Sequence, residues 1–407
     1  MDTAAVKRRP ASLAFEVSLC AAFLAACGSG LPTPTQPQDP DASQPQQPAS
    51  ASASGPGAEP SGSAPPDIGA DGAIVQVVAD ELRMRFEAGT ASTLVGTLER
   101  GTVVRVESGP VEADGFTWFE VVDVAGRRGW AADGDGTDPW LANIPDVTDG
   151  SPILTLGYGC DVVGPINPPA TTVLDNGHVI ATDQSTGYGW FMRQLSAAGL
   201  EQVRDGVLES PYLQASAEYR PQLRADAGDP PGRGACSYTF TIAADGEPIV
   251  VTTMGWFGDE EERTFYEPSP ERKALDGIAR NLIAIEDVFD EEAWDTATLP
   301  YVAATYSLHI GPGIGPTPED AGPIDPGVLG LGDIGSFGSP AGGGRCDTIS
   351  RTQAFELARV LNEATAGLDV RLDAVSFPYF ATDAGWFNAA LAPVFPDGQP
   401  DCASIML

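Results

Sequence analysis

The side chains best suited to chemistry are scarce in this sequence. Histidine occurs twice, at His178 and His309, far apart along the chain. A histidine-rich metal site is therefore excluded, and any Ser/His or Cys/His mechanism would have to use one of these two residues. The sequence contains no G-x-S-x-G, H-E-x-x-H or G-x-x-x-x-G-K-[ST] motif. We therefore predict no catalytic residue, no metal site and no cofactor.

Acidic side chains, in contrast, are abundant. The chain has 57 Asp and Glu against 22 Lys and Arg, a net charge of −35, which argues against nucleic acid as a partner. Two clusters, at residues 259–262 and 286–295, could hold Ca²⁺ or supply the carboxylate pair of a glycosidase. Composition alone produces such clusters in so acidic a chain, so surface charge is the favoured interpretation. A third cluster, at residues 133–138, lacks the Glu that an EF-hand needs at its twelfth position.

Residues 1–26 have the organisation of a bacterial export signal. Residues 7–9 (KRR) are basic, and residues 17–26 form an apolar stretch that is too short to span a membrane. The stretch ends in LAA-Cys27-Gly28, which resembles the lipobox of bacterial lipoproteins. The resemblance implies cleavage before Cys27, lipidation of Cys27 and an extracytoplasmic position, anchored to the cell membrane by the lipid. The alternative is an ordinary signal peptide in which Cys27 occurs by chance.

A linker is predicted after the anchor. Residues 28–70 contain no aromatic residue, no Lys and no Arg, and they are rich in Pro, Ser and Gln. Such a segment cannot bury enough apolar surface to offset its chain entropy, so disorder is expected. Residues 27–70 would then form a lipidated spacer with a reach of about 35–40 Å. The spacer would hold the folded part away from the membrane.

Four cysteines follow the predicted anchor: Cys160, Cys236, Cys346 and Cys402. An even number of cysteines in an exported chain implies disulfides, and four cysteines allow three pairings. We favour neighbours in sequence, which joins Cys160 to Cys236 and Cys346 to Cys402. No CxxC motif occurs, which argues against zinc and against thioredoxin-like redox chemistry.

Residues 71–147 alternate β-prone runs with turn-forming stretches. The runs are residues 74–78 (IVQVV), 102–106 (TVVRV), 118–122 (WFEVV) and 129–131 (GWA). This spacing predicts a small all-β barrel. Trp118 and Trp130 are candidate ligand-binding residues that could line a groove; the alternative is that both are packing residues.

Four blocks of this segment resemble bacterial SH3-like (SH3b) domains. In order, they are residues 82–85 (LRMR), 94–98 (LVGTL, with Gly-Thr at 101–102), 118–121 (WFEV) and 126–130 (GRRGW). The chain departs from the family at residues 86–89 (FEAG), where SH3b domains usually have S-G-P. The family includes modules that bind cell-wall peptides and many others with no known ligand. The resemblance thus implies a barrel that contacts cell-wall material.

Residues 148–407 are predicted to form an α+β region, with packed helices on an antiparallel sheet. Hairpins are expected at residues 172–180 and 236–253, and a strand at 301–310. Helices are expected to begin after Ser196, after Ser269 and after Ser350, which forms a capping box with Gln353.

A long loop is predicted to divide this region. Residues 311–345 are rich in Gly and Pro, and they separate a first half, 148–310, from a second half, 346–407. The segment bracketed by Cys346 and Cys402, with residues 393–397 (PVFPD), resembles uncharacterised secreted lipoproteins of high-GC bacteria. That resemblance implies no particular activity.

These observations predict a multi-domain chain, with a small all-β SH3-like barrel followed by an α+β region. We expect an exported, membrane-anchored lipoprotein at the cell envelope that acts as a non-catalytic binding or scaffolding protein. Its expected partners are the membrane, through the N-terminal lipid, and a cell-wall peptide or an envelope protein. The alternative is an envelope hydrolase that uses an unidentified carboxylate pair.

Overall fold

The computed structural model describes most of the chain after the predicted linker. The described residues are 68, 71–145, 147, 149–160, 168–183, 189–228, 236–255, 259–313, 336–341, 344–364, 369–382 and 385–402. The predicted signal peptide, Cys27 and almost all of the predicted linker lie outside them. The described residues belong to one compact unit, Gly62–Leu407. The described part of this unit is β-rich and contains three sheets.

The first sheet covers the predicted barrel. Its seven strands are β1 Ile74–Val77, β2 Glu81–Arg85, β3 Leu94–Glu99, β4 Val103–Ala113, β5 Phe116–Asp123, β6 Arg128–Ala132 and β7 Leu141–Asn143. Their order in the sheet is β3-β2-β6-β5-β4-β1-β7, and every neighbouring pair is antiparallel. The sheet therefore ends at β3 and β7 and forms a half-barrel.

One hydrophobic cluster fills the inside of this half-barrel. Successive side chains of a strand point to opposite faces, so inward residues of all seven strands can meet only if the sheet curls around them. They do meet, in a cluster that also includes Ile68: Val75, Val77, Leu82, Met84, Leu98, Val104, Val106, Phe119, Val121, Ala131 and Leu141. The alternate residues of these strands face outward.

The second sheet lies in the middle of the chain. Its strands are β8 Pro152–Cys160, β9 Thr171–Leu174, β10 His178–Asp183, β11 Gly189–Gln194, β12 Ala217–Tyr219, β13 Cys236–Ile242, β14 Ile249–Met254 and β15 Leu299–Pro300. Their order is β12-β14-β13-β8-β9-β10-β11-β15. The two predicted hairpins are present: β9 pairs with β10, and β13 pairs with β14. Gly177, in the first turn, has a φ of 86°, a conformation that glycine adopts readily.

Among the described residues, four α-helices accompany the middle sheet: α1 Ala197–Val203, α2 Asp259–Phe265, α3 Pro270–Ile283 and α4 Ile285–Val288. The caps predicted at Ser196 and Ser269 are present, because each hydroxyl accepts a hydrogen bond from a backbone N–H three residues later. Helix α3 contributes Leu275, Ala279 and Leu282 to a cluster that also contains residues of the sheet. None of the described helices is long and apolar enough to cross a membrane.

The third sheet contains β16 Thr305–Pro312, β17 Ser339–Ala341, β18 Gly344–Ser350, β19 Tyr379–Thr382 and β20 Gly385–Pro393. Its order is β17-β18-β16-β20-β19. The strand predicted at 301–310 for the first half therefore pairs with strands of the second half. Helix α5, Arg351–Ala364, follows β18 directly. Its predicted capping box is present, since Ser350 N donates to Gln353 Oε1 at 2.9 Å and Gln353 N donates to Ser350 Oγ at 3.3 Å.

The predicted disulfide between Cys346 and Cys402 is present and ties the C-terminal segment to β18. Ser307 of β16 reinforces this attachment by donating to the carbonyl of Pro400 at 2.7 Å. Cys160 and Cys236 are direct cross-strand partners in the backbone register of β8 and β13. Cross-strand Cα atoms lie within the range that a disulfide spans, but these two side chains lie outside the described part, so their pairing stays a prediction.

A single hydrophobic cluster joins all three sheets. It contains Val103, Val122, Ile144 and Val147 of the barrel segment, Leu174, Ile180, Trp190 and Met192 of the middle sheet, and the buried face of α5. Polar contacts follow the same path: Arg105 forms an ion pair with Glu356 of α5, and Asn362 Nδ2 donates to the carbonyl of Val124 at 3.1 Å. The half-barrel is thus packed against α5 along one side.

Candidate functional site

A small pocket of about 280 Å³ lies on the half-barrel. It forms where residues of β2, β5 and β6, most of them outward, meet the loop after β2 and the residue that precedes β7. Its described lining is mainly apolar and consists of Glu81, Leu82, Arg83, Arg85, Thr90, Phe116, Trp118, Ala132 and Trp140. The volume is at the lower end of the range for small-molecule sites, so it suits one or two side chains of a ligand.

Three aromatic residues, Phe116, Trp118 and Trp140, belong to the apolar lining of the pocket. Trp118 is 3% exposed, and its Nε1 donates to the carbonyl of Ala113 at 3.0 Å. Its ring packs edge-on against Phe116, with 6.4 Å between centroids, and Phe116 packs against Trp140 at 5.6 Å. Because the Trp118 N–H already has a partner, the ring offers a ligand apolar contact rather than a hydrogen bond.

The acidic turn between β6 and β7 positions Trp140. The carboxylate of Asp135 accepts hydrogen bonds from the backbone N–H groups of Asp138 and Thr137, at 2.8 and 2.9 Å, and these bonds lower the pKa of Asp135. Trp140 N then donates to the carbonyl of Asp133 at 2.7 Å. The cluster at residues 133–138 therefore acts as a turn that brings Trp140 to the pocket.

The segment that departs from the SH3b pattern borders the pocket. The loop between β2 and β3 is attached to the β4–β5 turn, because Thr90 donates to Asp114 Oδ2 from both its backbone N and its hydroxyl, at 2.7 and 2.8 Å. These bonds lower the pKa of Asp114. Arg85 Nη1 donates to the carbonyl of Ser92 at 2.6 Å, across the same loop. Phe86 is 70% exposed.

The arginines of the pocket differ from the other arginines of the half-barrel. Four of them, Arg100, Arg105, Arg127 and Arg128, each lie within 4.0 Å of a carboxylate. Arg83 and Arg85 have no carboxylate at that distance among the described residues. Glu81 is the one acidic residue among the described residues of the lining. The described lining therefore has a formal charge of +1, and the carboxylate of Asp114 lies beside it, bonded to Thr90.

The structure separates the two tryptophans chosen from the sequence. Trp118 is part of the pocket, whereas Trp130 is half-buried and is not among its lining residues. In the register of the sheet, Trp130 lies opposite Arg85 on one side and Glu120 on the other. Phe116 and Trp140 were not predicted from the sequence as site residues. The signal for them was the density of aromatic residues at 116–118 and the Pro-Trp pair after the acidic turn.

The carboxylate clusters of the middle region form contacts within the fold. Glu262 is 3% exposed and Arg272 is fully buried; the guanidinium donates to both carboxylate oxygens at 2.9 Å. Arg193, which is buried, pairs with one carboxylate oxygen of Glu291 in the second cluster, and Glu291 itself is largely exposed. No group of three or more His, Cys, Asp or Glu side chains in the described part of the chain is arranged to hold a metal ion.

The two histidines lie in different environments. His178 is half-buried, with Nδ1 3.1 Å from Asn176 Oδ1. Burial lowers its pKa, and the nearby carboxylate of Asp149 partly opposes this change. His309 is fully buried in the central strand β16. Neither histidine is among the residues that line the pocket.

No protein-family model matches this chain, and no curated protein is significantly similar to it. The geometry of the pocket is therefore the main basis for a functional proposal.

Proposed function

We propose that this chain is an exported, lipid-anchored, non-catalytic binding protein of the bacterial cell envelope. In this proposal Cys27 carries the lipid, residues 27–70 form the spacer, and the pocket on the half-barrel binds cell-wall material. The remaining two sheets form the body to which the half-barrel is attached.

The assignment of the half-barrel to the SH3b domains is part of this proposal. The four blocks that resemble the family fall largely on β2, β3, β5 and β6. Outward residues of three of these strands contribute to the pocket. The agreement between these blocks and the strands supports the resemblance. A binding groove on a small barrel needs residues from several strands at one place, as this pocket has.

The composition of the pocket is the observation that carries the proposal. Phe116, Trp118 and Trp140 supply apolar surface, and Arg83 and Arg85 supply hydrogen-bond donors at its edge. A mainly apolar lining with a few polar groups is typical of pockets that bind a ligand. A glycosidase needs two carboxylates across the scissile bond, whereas Glu81 is the one carboxylate among the described lining residues. Binding is therefore the better-supported activity.

The attachment to α5 leaves the pocket accessible. Helix α5 contacts Arg105, Val124 and the cluster that includes Val103 and Val122. None of these residues lines the pocket. A ligand can therefore reach the pocket while the half-barrel stays packed on the body.

Sedimentation with purified peptidoglycan tests the proposal. The mature chain from residue 27, with and without Trp140→Ala, is incubated with insoluble peptidoglycan, and the bound fraction is measured. We expect Trp140→Ala to reduce retention at least tenfold, because it removes one wall of the pocket. Trp130→Ala is the matched control: a half-buried tryptophan of the same sheet that lies outside the lining. Circular dichroism confirms that both variants are folded.

Two results would contradict this function. If the wild-type chain is not retained by peptidoglycan, the cell-wall ligand is wrong. If Trp140→Ala and Trp130→Ala reduce retention equally, the pocket is not the binding site.

A further inference from the structure

The charge at the pocket edge is unusual for this chain. Arg83 is exposed and Arg85 is half-buried, and neither has a carboxylate within 4.0 Å among the described residues. The other four arginines of the half-barrel all have one. In a chain with 57 acidic residues, two adjacent arginines without such a partner, beside an apolar pocket, offer their donors to a ligand.

The guanidinium groups of Arg83 and Arg85 are placed so that both can bind the same anion. Arg83 and Arg85 are two positions apart on the same face of β2, so their Cα atoms lie roughly 7 Å apart. Each guanidinium is a planar fork of N–H donors that matches a carboxylate in two-point geometry. The bond from Arg85 Nη1 to the carbonyl of Ser92 orients that side chain and leaves its other donors for a ligand.

The neighbouring surface requires the anion to have an apolar part. Leu82, Trp118 and Ala132 are buried beneath the pocket opening, and Phe116 and Trp140 are half-buried beside it. A polyol phosphate would satisfy the arginines but has no apolar group for these rings. A neutral glycan could stack on the rings but would leave the arginines without an anion.

We propose that the pocket binds a peptide with a free carboxylate next to an apolar side chain. The carboxylate contacts Arg83 and Arg85, and the side chain packs against the apolar lining to which Trp118, Phe116 and Trp140 contribute. Glu81 disfavours peptides with several negative charges and accepts a peptide N–H. This inference rests on the proposed binding function and names the chemical class of its ligand.

A pair of synthetic peptides tests the inference. Acetyl-Ala-Phe with a free C-terminal carboxylate is compared with the same peptide as a C-terminal amide, with calorimetry and tryptophan fluorescence on the mature chain. We expect the carboxylate form to bind at least tenfold more tightly, because a hydrogen bond to a charged group contributes at least that factor. The double variant Arg83→Gln/Arg85→Gln should remove this preference. Arg220→Gln, an exposed arginine paired with Glu218 in the middle region, is the control and should keep it.

The outcomes separate this inference from the function on which it rests. Equal binding of both peptides overturns the inference, and so does a preference that survives the double variant. If, in either case, peptidoglycan is still retained through Trp140, the proposed function stands with another ligand class. Binding of a polyol phosphate in place of the carboxylate peptide likewise overturns the inference. Absence of both peptide binding and retention overturns the inference and the proposed function together.

Discussion

Arginine has opposite environments in the core of the middle region and in the pocket of the half-barrel. In the middle region, Arg272 is fully buried between α3 and the sheet and donates to Glu262, to the carbonyl of Met254 and to that of Gly255. In the pocket, Arg83 and Arg85 lie at the surface with no carboxylate nearby among the described residues. The same side chain thus holds the fold together in one region and faces outward in the other.

The difference shows why local charge density in the sequence is a poor guide to function here. The acidic clusters at residues 259–262 and 286–295 drew attention because they are dense, yet Glu262 and Glu291 are partners of buried arginines. The pocket was inconspicuous because Arg83 and Arg85 stand in an ordinary strand. An arginine is available to a ligand only where the fold does not already supply a carboxylate as its partner.

The largest effect is expected from Arg272→Met. This substitution leaves the buried carboxylate of Glu262 without its cation, which costs about 3–5 kcal/mol of the free energy of unfolding. Urea denaturation of the mature chain at neutral pH measures the change. A loss below about 1 kcal/mol would mean that the ion pair does not hold α2 and α3 on the sheet.

Two further variants make this test specific. The double variant Arg272→Met/Glu262→Leu should recover most of the lost stability, because an apolar pair can replace a buried ion pair. Arg83→Gln should change the free energy of unfolding by no more than about 0.5 kcal/mol, as is usual for a surface substitution. If Arg83→Gln and Arg272→Met lower the free energy of unfolding equally, the contrast between the two regions is wrong.

A smaller effect is expected from Arg193→Met. Arg193 donates to the carbonyl of Thr296 at 2.7 Å and stacks over the ring of Trp294, 4.7 Å from its centroid. Its partner Glu291 is largely exposed, so removing the cation does not leave a buried charge. We expect a loss of about 1–2 kcal/mol, measured by the same denaturation. If Arg193→Met lowers the free energy of unfolding as much as Arg272→Met does, the exposure of the carboxylate does not determine how much stability is lost.

The smallest effect concerns pH. Burial lowers the pKa of His178 below its ordinary value of 6.5, so the folded chain binds this proton less readily than the unfolded chain. The free energy of unfolding should therefore be highest above pH 6.5 and decrease as the pH falls through 6.5 toward the lower folded pKa. Denaturation between pH 5 and pH 8 measures this slope, and His178→Gln should reduce it.

Peptide binding at the pocket should differ from stability in its dependence on pH. Since no histidine is among its described lining residues, peptide binding should stay constant over the part of this pH range in which the chain is folded. If His178→Gln leaves the slope of the free energy of unfolding against pH unchanged, the group that titrates is not His178.

Local structure followed well from the sequence. The helix starts at Ser196, Ser269 and Ser350 were predictable because a cap depends on residues within three positions of one another. The β9–β10 hairpin was predictable from Asn176-Gly177 between two β-prone runs. The pairing of Cys346 with Cys402 was one of three choices, and proximity in sequence favoured it.

Long-range pairing did not follow from the sequence. The strand at residues 301–310 was assigned to the first half because it precedes the Gly/Pro-rich stretch, yet β16 pairs with β18 and β20. Its apolar residues would suit the centre of either sheet. Strand order depends on which surfaces fit together, and a strand's own pattern carries no information on that.

The sequence by itself determined the features that depend on short segments: the caps, the hairpins, the β-prone runs of the half-barrel and the export-signal pattern that predicts the anchor at Cys27. The tertiary structure decided the meeting of Phe116 and Trp118 with Trp140, and the burial of Arg193 and Arg272 beside their carboxylate partners. It also left Arg83 and Arg85 without a carboxylate among the described residues. The physical reason is that capping and turn formation act within a few residues, whereas a binding pocket requires distant segments to converge on one surface.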